Sequence, residues 1–268
     1  MNISSPRKVV IHFLRHGQAT HNVTAEGMKA NGCTFQAFVD QMRKDDEFDS
    51  NLTNYGINQA FEAGKLLPLH FHKQIELIVS SPLSRAIDTA DLVMPFDKTP
   101  EADRKVIEDF REVSGLLLNA KRRSRSDLID KYNNSNSYST TKGLDSPQSK
   151  WDFSMIGEED ELWDDSAIEA KEDCAHRCYK GLLEVWNLTD NSQRPYSDVA
   201  IAAHGGIFGY LFAGLNPHVR IEAVGSPRFG NCEMKSCEMS IDESGGVEGG
   251  ATKFVIRQFE SSHDVARL

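Results

Sequence analysis

The sequence of 268 residues has no long apolar run and no excess of positive charge. A helix that spans a membrane needs roughly 18 or more consecutive apolar residues, and the opening MNISSPRKVV also lacks the apolar core of a secretory signal. The formal net charge is -10, which disfavours nucleic acid and anionic membranes as partners because both bind basic surfaces. We therefore expect a cytoplasmic protein that binds neither.

Paired cysteines are missing as well. The five cysteines are an odd number without the close pairing of a zinc site: Cys33, Cys174, Cys178, Cys232 and Cys237. Reduced thiols are expected. Cys174 and Cys178 are four residues apart in a predicted helix, and we interpret them as buried small apolar side chains in preference to a metal or redox site.

Charge is concentrated in two segments. Residues 158 to 173 contain nine acidic residues and one lysine, and we interpret them as a solvated helix flank. Lys121, Arg122, Arg123 and Arg125 place four cations within five residues. They would recognise a carboxylate or second phosphate of a substrate, or they would form a solvated helix start that counters the acidic segment; the sequence leaves both alternatives open.

Apolar and β-branched runs alternate with helical patterns along the chain. Buried strands are predicted at 9–14, 75–79 and 199–203, with a late edge strand at 253–259. Helices are predicted at 54–67 with Thr53 as N-cap, after Ser81 and Pro82 with Arg85 in the first turn, and at 207–215.

This alternation predicts an α/β fold of three layers, in which helices flank a mainly parallel sheet. We expect a single domain over residues 1–268. Residues 113–173 would form an insertion or lid within it, and the polar segment 133–149 would be a mobile loop.

Three predicted strands end at residues suited to phosphate chemistry. Arg15 and His16 follow the first strand, Arg85 follows the second, and His204 follows the third. The carboxyl ends of parallel strands meet at one edge of a sheet, where ligands collect. Arginine binds phosphate oxygens with two parallel hydrogen bonds, and a neutral imidazole can attack phosphorus to form a covalent intermediate. The pattern therefore favours phosphoryl transfer.

Three segments resemble the histidine phosphatase superfamily, also called phosphoglycerate-mutase-like. They are LRHGQATHN at 14–22, SSPLSRAIDTA at 80–90 and AAHGGIFGYL at 202–211. The resemblance implies that His16 is the phosphorylated nucleophile, that Arg15, Arg85 and His204 form the phosphate pocket, and that Asn22 adds a neutral donor. It also implies a phosphoglycerate-mutase-like fold.

The family places a general acid, usually a glutamate, after the second motif. FREVSG at 110–115 matches that segment and indicates Glu112, with Glu108 and Asp109 as rivals. A glutamic acid of pKa about 4.3 must be shifted upward to donate a proton at neutral pH. Alternatively, Glu112 is only an exposed salt-bridge partner of Arg111.

Departures from the family's sequence patterns reduce the number of activities expected for this protein. Gln18 replaces a glutamate found in many members, and no FTGW-like segment follows the first motif, which makes mutase activity the lesser expectation. Ala19, His21 and Gly205 do not fit the acid-phosphatase branch. We therefore expect a phosphatase of small phosphorylated substrates; the alternatives are a mutase, if 113–173 excludes water, or a catalytically silent binding module.

The arginines and histidines supply the positive field that magnesium provides in kinases, so we expect neither a metal nor another cofactor, and no inhibition by chelators. The sequence does not indicate an oligomeric state. The final residues Ala266, Arg267 and Leu268 resemble a peroxisomal import tripeptide, which makes the peroxisome the alternative location.

Overall fold

The computed structural model of the protein describes residues 7–44, 47–134, 150–190, 197–223, 225–242 and 252–259. Seven strands lie within these residues: β1 Lys8–Arg15, β2 Leu77–Ser80, β3 Asp103–Val106, β4 Asp198–Ala203, β5 Val219–Glu222, β6 Met234–Ile241 and β7 Phe254–Gln258. The α-helices are α1 Val23–Ala30, α2 Phe35–Lys44, α3 Asn54–Leu66, α4 Leu69–Gln74, α5 Ser84–Val93, α6 Arg125–Ile129, α7 Lys171–Thr189 and α8 Gly205–Phe212.

All seven strands belong to one sheet in the order β3-β2-β4-β1-β6-β7-β5. The pairs β3-β2, β2-β4, β4-β1 and β7-β5 are parallel, whereas β6 runs antiparallel to both of its neighbours. The predicted mainly parallel α/β fold is confirmed. The edge position predicted for residues 253–259 is wrong, because β5 pairs with the outer side of β7.

Apolar side chains pack on both faces of this sheet. Along β1, Ile11 and Phe13 join a core that includes α7 and α8, whereas Leu14 joins a second core with α3 and α5. Cys174 and Cys178 are fully buried in the first core, as predicted. Helices therefore cover both faces and complete the three layers.

The first turn of α5 differs from its prediction. The helix begins at Ser84, after Leu83 as N-cap, so Pro82 lies before the helix. The Ser81 oxygen accepts the Leu83 N–H at 3.3 Å and contacts His204, but Leu83 lies outside the helix, so this bond does not cap α5. The buried Asp49 carboxylate instead accepts the Ser84 N–H at 2.8 Å and the Ser84 hydroxyl at 2.6 Å. Thr53 caps α3 as predicted, through a bond from the Gly56 N–H.

The acidic segment is only in part the predicted solvated helix flank: Glu172 and Asp173 are exposed in the first turn of α7. Residues 158–170 precede α7 and form no regular helix. Asp160 and Glu169 turn inward, where they bind Arg111 and Arg177 respectively. The pattern of charges did not indicate these ion pairs, because Arg111 is 49 residues from Asp160 and Arg177 lies eight residues beyond Glu169, outside the acidic segment. Most of the predicted mobile loop, 135–149, lies outside the described residues.

Candidate active site

Three neighbouring strands bring the predicted site residues together. β4 lies between β1 and β2, and Arg15 pairs in register with Ala203, directly before His204. The ring centroids of His16 and His204 are 5.0 Å apart. β2 leads through Ser81 to Arg85 in the first turn of α5. The convergence predicted for these residues at one edge of the sheet is present.

His16 is 2% exposed and fixed by a backbone bond. Its Nδ1 lies 2.6 Å from the Gly17 carbonyl oxygen; since a carbonyl only accepts, Nδ1 carries the proton and Nε2 keeps a free lone pair. Nε2 has no hydrogen-bond partner in the part of the chain that the structure describes. Burial, followed by the charges of Arg85 and Arg15, lowers the pKa of His16 well below its usual value. The imidazole is therefore neutral and has the form of a nucleophile.

The turn that holds His16 packs directly on the start of α3. A Cβ atom on Gly17 would lie 2.6 Å from the Gly56 oxygen, and a Cβ atom on Gly56 would lie 2.0 Å from the Gln18 oxygen. Glycine is required at both positions because the two backbones touch.

His204 is oriented by a serine. The Ser81 oxygen already accepts the Leu83 N–H, so its hydroxyl hydrogen is available for His204 Nε2 at 2.8 Å. This leaves the proton of the neutral imidazole on Nδ1, a buried atom to which no described residue offers an acceptor. Burial and the charge of Arg85 lower the pKa of His204 well below its usual value. His204 thus offers a neutral N–H donor.

Arg85 is completely buried but only partly bonded. Its Nη1 donates to the Asn119 carbonyl at 2.7 Å and lies 3.5 Å from the Ser50 hydroxyl, whereas Nε and Nη2 have no partner among the described residues. Burial lowers the pKa of Arg85 to about 10, although the carboxylates of Glu112 and Asp49 oppose this shift. Buried polar groups without partners are rare, and Arg85 still carries a positive charge at neutral pH.

Arg15 and Asn22 share a partner that the sequence reasoning missed. Arg15 Nη2 and Asn22 Nδ2 both donate to Oε1 of Glu26, the latter at 3.1 Å. Arg15 Nη1 donates to the Phe229 carbonyl at 2.8 Å, and its buried Nε is unpartnered. One hydrogen of the Asn22 amide group is thus engaged within the protein, and Asn22 Oδ1 accepts the Ala19 N–H.

Glu112 lies at the N-terminus of α8, next to His204. Its carboxylate accepts the N–H groups of Gly206 and Ile207, each at 3.2 Å, and that of Val113 at 2.9 Å. A Cβ atom on Gly206 would lie 2.3 Å from Glu112 Oε1, so glycine is needed there. The alternative of an exposed salt bridge between Glu112 and Arg111 is wrong, because Arg111 binds other carboxylates.

Those carboxylates form a second group, here termed the arginine–carboxylate network. Its members are Arg111, Arg122, Arg177, Glu108, Asp160 and Glu169. Glu108 binds both Arg111 and Arg122, at 3.1 and 2.7 Å, and Asp160 binds Arg111. Arg177 binds Glu169 and donates to the carbonyls of residues 109, 111 and 112. The network therefore fixes the backbone that carries Glu112.

Of the two rivals to Glu112, Glu108 is engaged by the network. Asp109 lies on the same 3-10 turn, Glu108–Phe110, and burial raises its pKa although Arg177 and Lys180 oppose the shift. No hydrogen bond joins the Asp109 carboxylate to His16, Arg85 or His204 within the described ranges.

The four cations at 121–125 have separate surroundings. The Lys121 ammonium lies over the Trp163 ring at 4.3 Å, Arg123 Nε is 3.0 Å from Asp49, and Arg125 binds the exposed Glu158 at 3.3 Å. Arg122 is buried in the network. Ser124 caps α6, so a helix does start here, as one of the two alternatives expected.

A third imidazole, His21, was also missed. It is 4% exposed, and its ring centroid lies 6.5 Å from that of His16. Its Nδ1 is 2.5 Å from the hydroxyl of the buried Ser50. The only signal in the sequence was its place within LRHGQATHN. We refer to His16, His21, His204, Arg15 and Arg85 together as the histidine pocket.

Within the described residues, no cluster of three or more His, Cys, Asp or Glu side chains is arranged to hold a metal ion. The helices in those residues likewise include none with the length and apolar character needed to cross a membrane.

Comparison with known protein families shows the superfamily to which the chain belongs. The model of the histidine phosphatase superfamily (branch 1) matches residues 11–149. The chain belongs to this superfamily.

Two relatives from Arabidopsis thaliana span most of the chain. "Phosphoglycerate mutase-like protein 1" is 30% identical over 84% of this chain and 79% of its own length. "Phosphoglycerate mutase-like protein" is 25% identical over 84% and 82%, respectively. Among solved structures, "Mycobacterial hydrolase 1" has the same fold, with a TM-score of 0.50 and 20% identity over 95% of this chain and 99% of its own.

Proposed function

We propose that this protein is a phosphatase that hydrolyses phosphate monoesters of small molecules through a phosphohistidine at His16. The observation that carries the proposal is the contrast between one free lone pair and several free donors. His16 Nε2 is unprotonated, whereas four buried donor atoms have no partner within the described ranges: Arg85 Nε and Nη2, Arg15 Nε and His204 Nδ1. A phosphoryl group would accept hydrogen bonds from such donors, and its phosphorus would be attacked by the lone pair.

In the first step, His16 Nε2 attacks phosphorus and the bond from phosphorus to the ester oxygen breaks. Arg15, Arg85 and His204 stabilise the charge on the equatorial oxygens, and the second N–H of Asn22 adds a neutral donor. Glu112 gives its proton to the departing oxygen. The products of this step are the alcohol and phosphohistidine.

In the second step, water attacks the phosphorus of phosphohistidine and the N–P bond breaks. The Glu112 carboxylate takes a proton from the water, inorganic phosphate leaves, and His16 returns to its neutral state. Glu112 must therefore be protonated when the ester binds. Its three N–H donors stabilise the ionised carboxylate, so the negative charge of the bound ester has to supply the opposing effect.

Labelling tests the covalent intermediate. The protein is screened against sugar phosphates, phosphoglycerates, nucleotides and phosphopeptides, mixed briefly with an active labelled substrate, quenched in base and mapped by mass spectrometry. Phosphohistidine survives base but not acid, so label should appear on the peptide containing His16. It should vanish in His16→Ala and remain in His12→Gln, a matched control in β1 whose nitrogens contact Ser236 and Asp198.

Label on His204 would show that His204 is the nucleophile and that His16 is the phosphate-binding histidine. The absence of label under single-turnover conditions would favour direct attack by water, and the absence of turnover on every substrate would favour a silent binding module.

The role of Glu112 is tested by the pH dependence of turnover. In Glu112→Gln the basic limb of the profile should flatten, because no carboxylic acid remains to lose its proton. A profile that keeps its shape would remove Glu112 from the mechanism.

Mutase activity is the second candidate, because both relatives from Arabidopsis thaliana carry mutase-like names. A mutase returns the phosphoryl group to the product instead of to water. Incubation with phosphoglycerates distinguishes the two: a phosphatase releases inorganic phosphate, whereas a mutase accumulates the positional isomer. We further propose a cytoplasmic location, which a fluorescent fusion with a free carboxyl terminus tests against the peroxisomal alternative.

A further inference from the structure

His21 lies in the histidine pocket but has no part in the mechanism above. It belongs to the 3-10 turn Thr20–Asn22, which follows His16 in the same motif. It contacts Ser50, and Ser50 in turn lies 3.5 Å from Arg85 Nη1. The three side chains therefore form a continuous chain of polar groups at the edge of the pocket.

The protonation of His21 follows from these contacts. Arginine only donates, so the Ser50 oxygen accepts from Arg85. If His21 Nδ1 also donated to that oxygen, the buried hydroxyl hydrogen of Ser50 would have no acceptor among its contacts, at a cost of about 1–3 kcal/mol. The satisfied arrangement has Ser50 donating to His21 Nδ1 at 2.5 Å. The imidazole proton is then on Nε2, which has no hydrogen-bond partner among residues with described positions.

The same arrangement occurs at His204. There the Ser81 oxygen accepts one N–H and its hydroxyl donates to the imidazole, which leaves an N–H free. The ring centroids of His21 and His204 lie 6.5 and 5.0 Å, respectively, from that of His16. The pocket thus contains one imidazole with a free lone pair and two with a free N–H.

Resting on the proposed function, we propose that His21 is a further catalytic residue: its Nε2–H donates to a non-bridging oxygen of the phosphoryl group transferred to His16, and Ser50 is the positioning residue that fixes this tautomer. The group recognised is a dianionic phosphoryl oxygen, independent of the alcohol to which it is attached. Burial, then the charges of Arg85 and Arg15, lower the pKa of His21 well below its usual value, in agreement with a neutral donor.

Three variants distinguish the effect of losing the N–H donor from the effect of losing the His21 side chain as a whole. His21→Phe retains a ring but removes the N–H, and kcat/KM should fall about a hundredfold, as for the loss of one donor to a transition-state oxyanion. His21→Gln retains a terminal N–H and should recover part of this loss. Ser50→Ala leaves the imidazole in place but frees its tautomer, so kcat/KM should fall less than in His21→Phe.

The leaving group distinguishes the proposed role from that of a general acid. With aryl phosphates ranging from 4-nitrophenyl to unsubstituted phenyl, the fold-loss in His21→Phe should be the same throughout, because the non-bridging oxygens do not change. A loss that grows as the leaving group becomes more basic would place His21 on the departing oxygen and overturn the proposal. If His21→Phe fails to fold, the same comparison is made with Ser50→Ala.

Vanadate binding provides a test that needs no turnover. Inorganic vanadate should bind less tightly to His21→Phe and Ser50→Ala than to the unmodified protein, measured by calorimetry. Unchanged vanadate affinity in both variants would overturn the role of His21. Missing label on His16 with weakened vanadate binding would instead refute the covalent mechanism and leave His21 as an oxyanion donor.

Discussion

Arg85 and Arg111 are both completely buried, yet their surroundings differ. Arg111 binds the carboxylates of Glu108 and Asp160 and the Ala120 carbonyl, and among the described residues only its Nε has no partner. Arg85 donates to a backbone carbonyl, lies near a hydroxyl, and retains two nitrogens without partners. A buried cation with its counter-ions stabilises a chain conformation, whereas one with free donors is prepared for an anion from solution. The network and the histidine pocket illustrate these two uses.

Replacing each arginine by methionine should separate the two uses most clearly. Arg85→Met should lower turnover by more than about a hundredfold, because a preorganised charge facing the phosphoryl group is lost, while the free energy of unfolding changes little. Arg111→Met should lower the free energy of unfolding by about 3–5 kcal/mol, because Asp160 remains buried without its cation. Steady-state kinetics and urea denaturation of both variants measure the contrast. Comparable losses of unfolding free energy in Arg85→Met and Arg111→Met would show that the two arginines do not differ in their contribution to stability.

The two regions should also lose stability in different pH ranges. His16, His21 and His204 have lowered pKa values in the folded state, so below pH about 6.5 the unfolded chain gains protons that the folded pocket does not. Stability should therefore fall as the pH drops from 6.5 to 5.5, by up to about 3 kcal/mol for three imidazoles.

The stability contributed by the arginine–carboxylate network should change only at lower pH. Although burial opposes the shift, Arg111 lowers the pKa of Asp160, and Arg177 lowers that of Glu169. Their contribution is present above pH about 4 and is lost below it. Urea titrations at each pH measure the free energy of unfolding. His204→Gln should weaken its pH dependence between about pH 5.5 and 6.5, and Asp160→Asn should weaken its pH dependence below about pH 4. The reverse assignment would contradict the comparison.

Asp88 is a buried carboxylate that forms no ion pair with an arginine in the part of the chain that the structure describes. It accepts the Tyr132 hydroxyl at 3.0 Å, and burial raises its pKa to about 6 although Lys131 opposes the shift. Stability should therefore decline as pH rises from about 4 to 6, where the unfolded chain ionises first. Asp88→Asn should be more stable than the unmodified protein at pH 8, by about 3 kcal/mol at most, with no difference at pH 4. Equal stability of the two at both pH values would refute this account of Asp88.

Two glycines of α8, Gly206 and Gly209, have different surroundings. In Gly206→Ala the new Cβ would displace the Glu112 carboxylate, so kcat should fall about tenfold if Glu112 transfers the proton. Gly209→Ala is the matched control: its Cβ would meet only the Pro227 oxygen, at 3.9 Å. The control should keep its activity and gain up to about 1 kcal/mol from the higher helix propensity of alanine. Equal kinetics in the two variants would show that the position of Glu112 is unimportant.

Local patterns predicted much of the pocket. His16, Arg85 and His204 directly follow buried strands or start a helix, so periodicity and topology alone bring them to one edge. The position of Glu112 was indicated only by resemblance, because its partners, the N–H groups of Gly206 and Ile207, lie more than 90 residues away. The network was not predicted either, because its ion pairs Asp160–Arg111 and Glu108–Arg122 join residues that are 49 and 14 positions apart.

Other errors have a single physical origin. Ser81 has the residue type of an N-cap, but its hydroxyl is used by His204, and the capping role passes to Asp49 from another segment. β7 is short and late in the chain, like many edge strands, but β5 pairs with it from the outside. In both cases a tertiary contact replaced the local preference.

The contact between Gly17 and Gly56 has a mechanical consequence. Helices usually lie on a sheet across a layer of side chains, which absorb small displacements by changing rotamer. Here two backbones touch with no such layer, and the carbonyl of Gly17 is the same group that accepts the proton of His16 Nδ1. A shift of α3 is thus transmitted directly to the nucleophile, which makes the helix a rigid part of the reaction geometry.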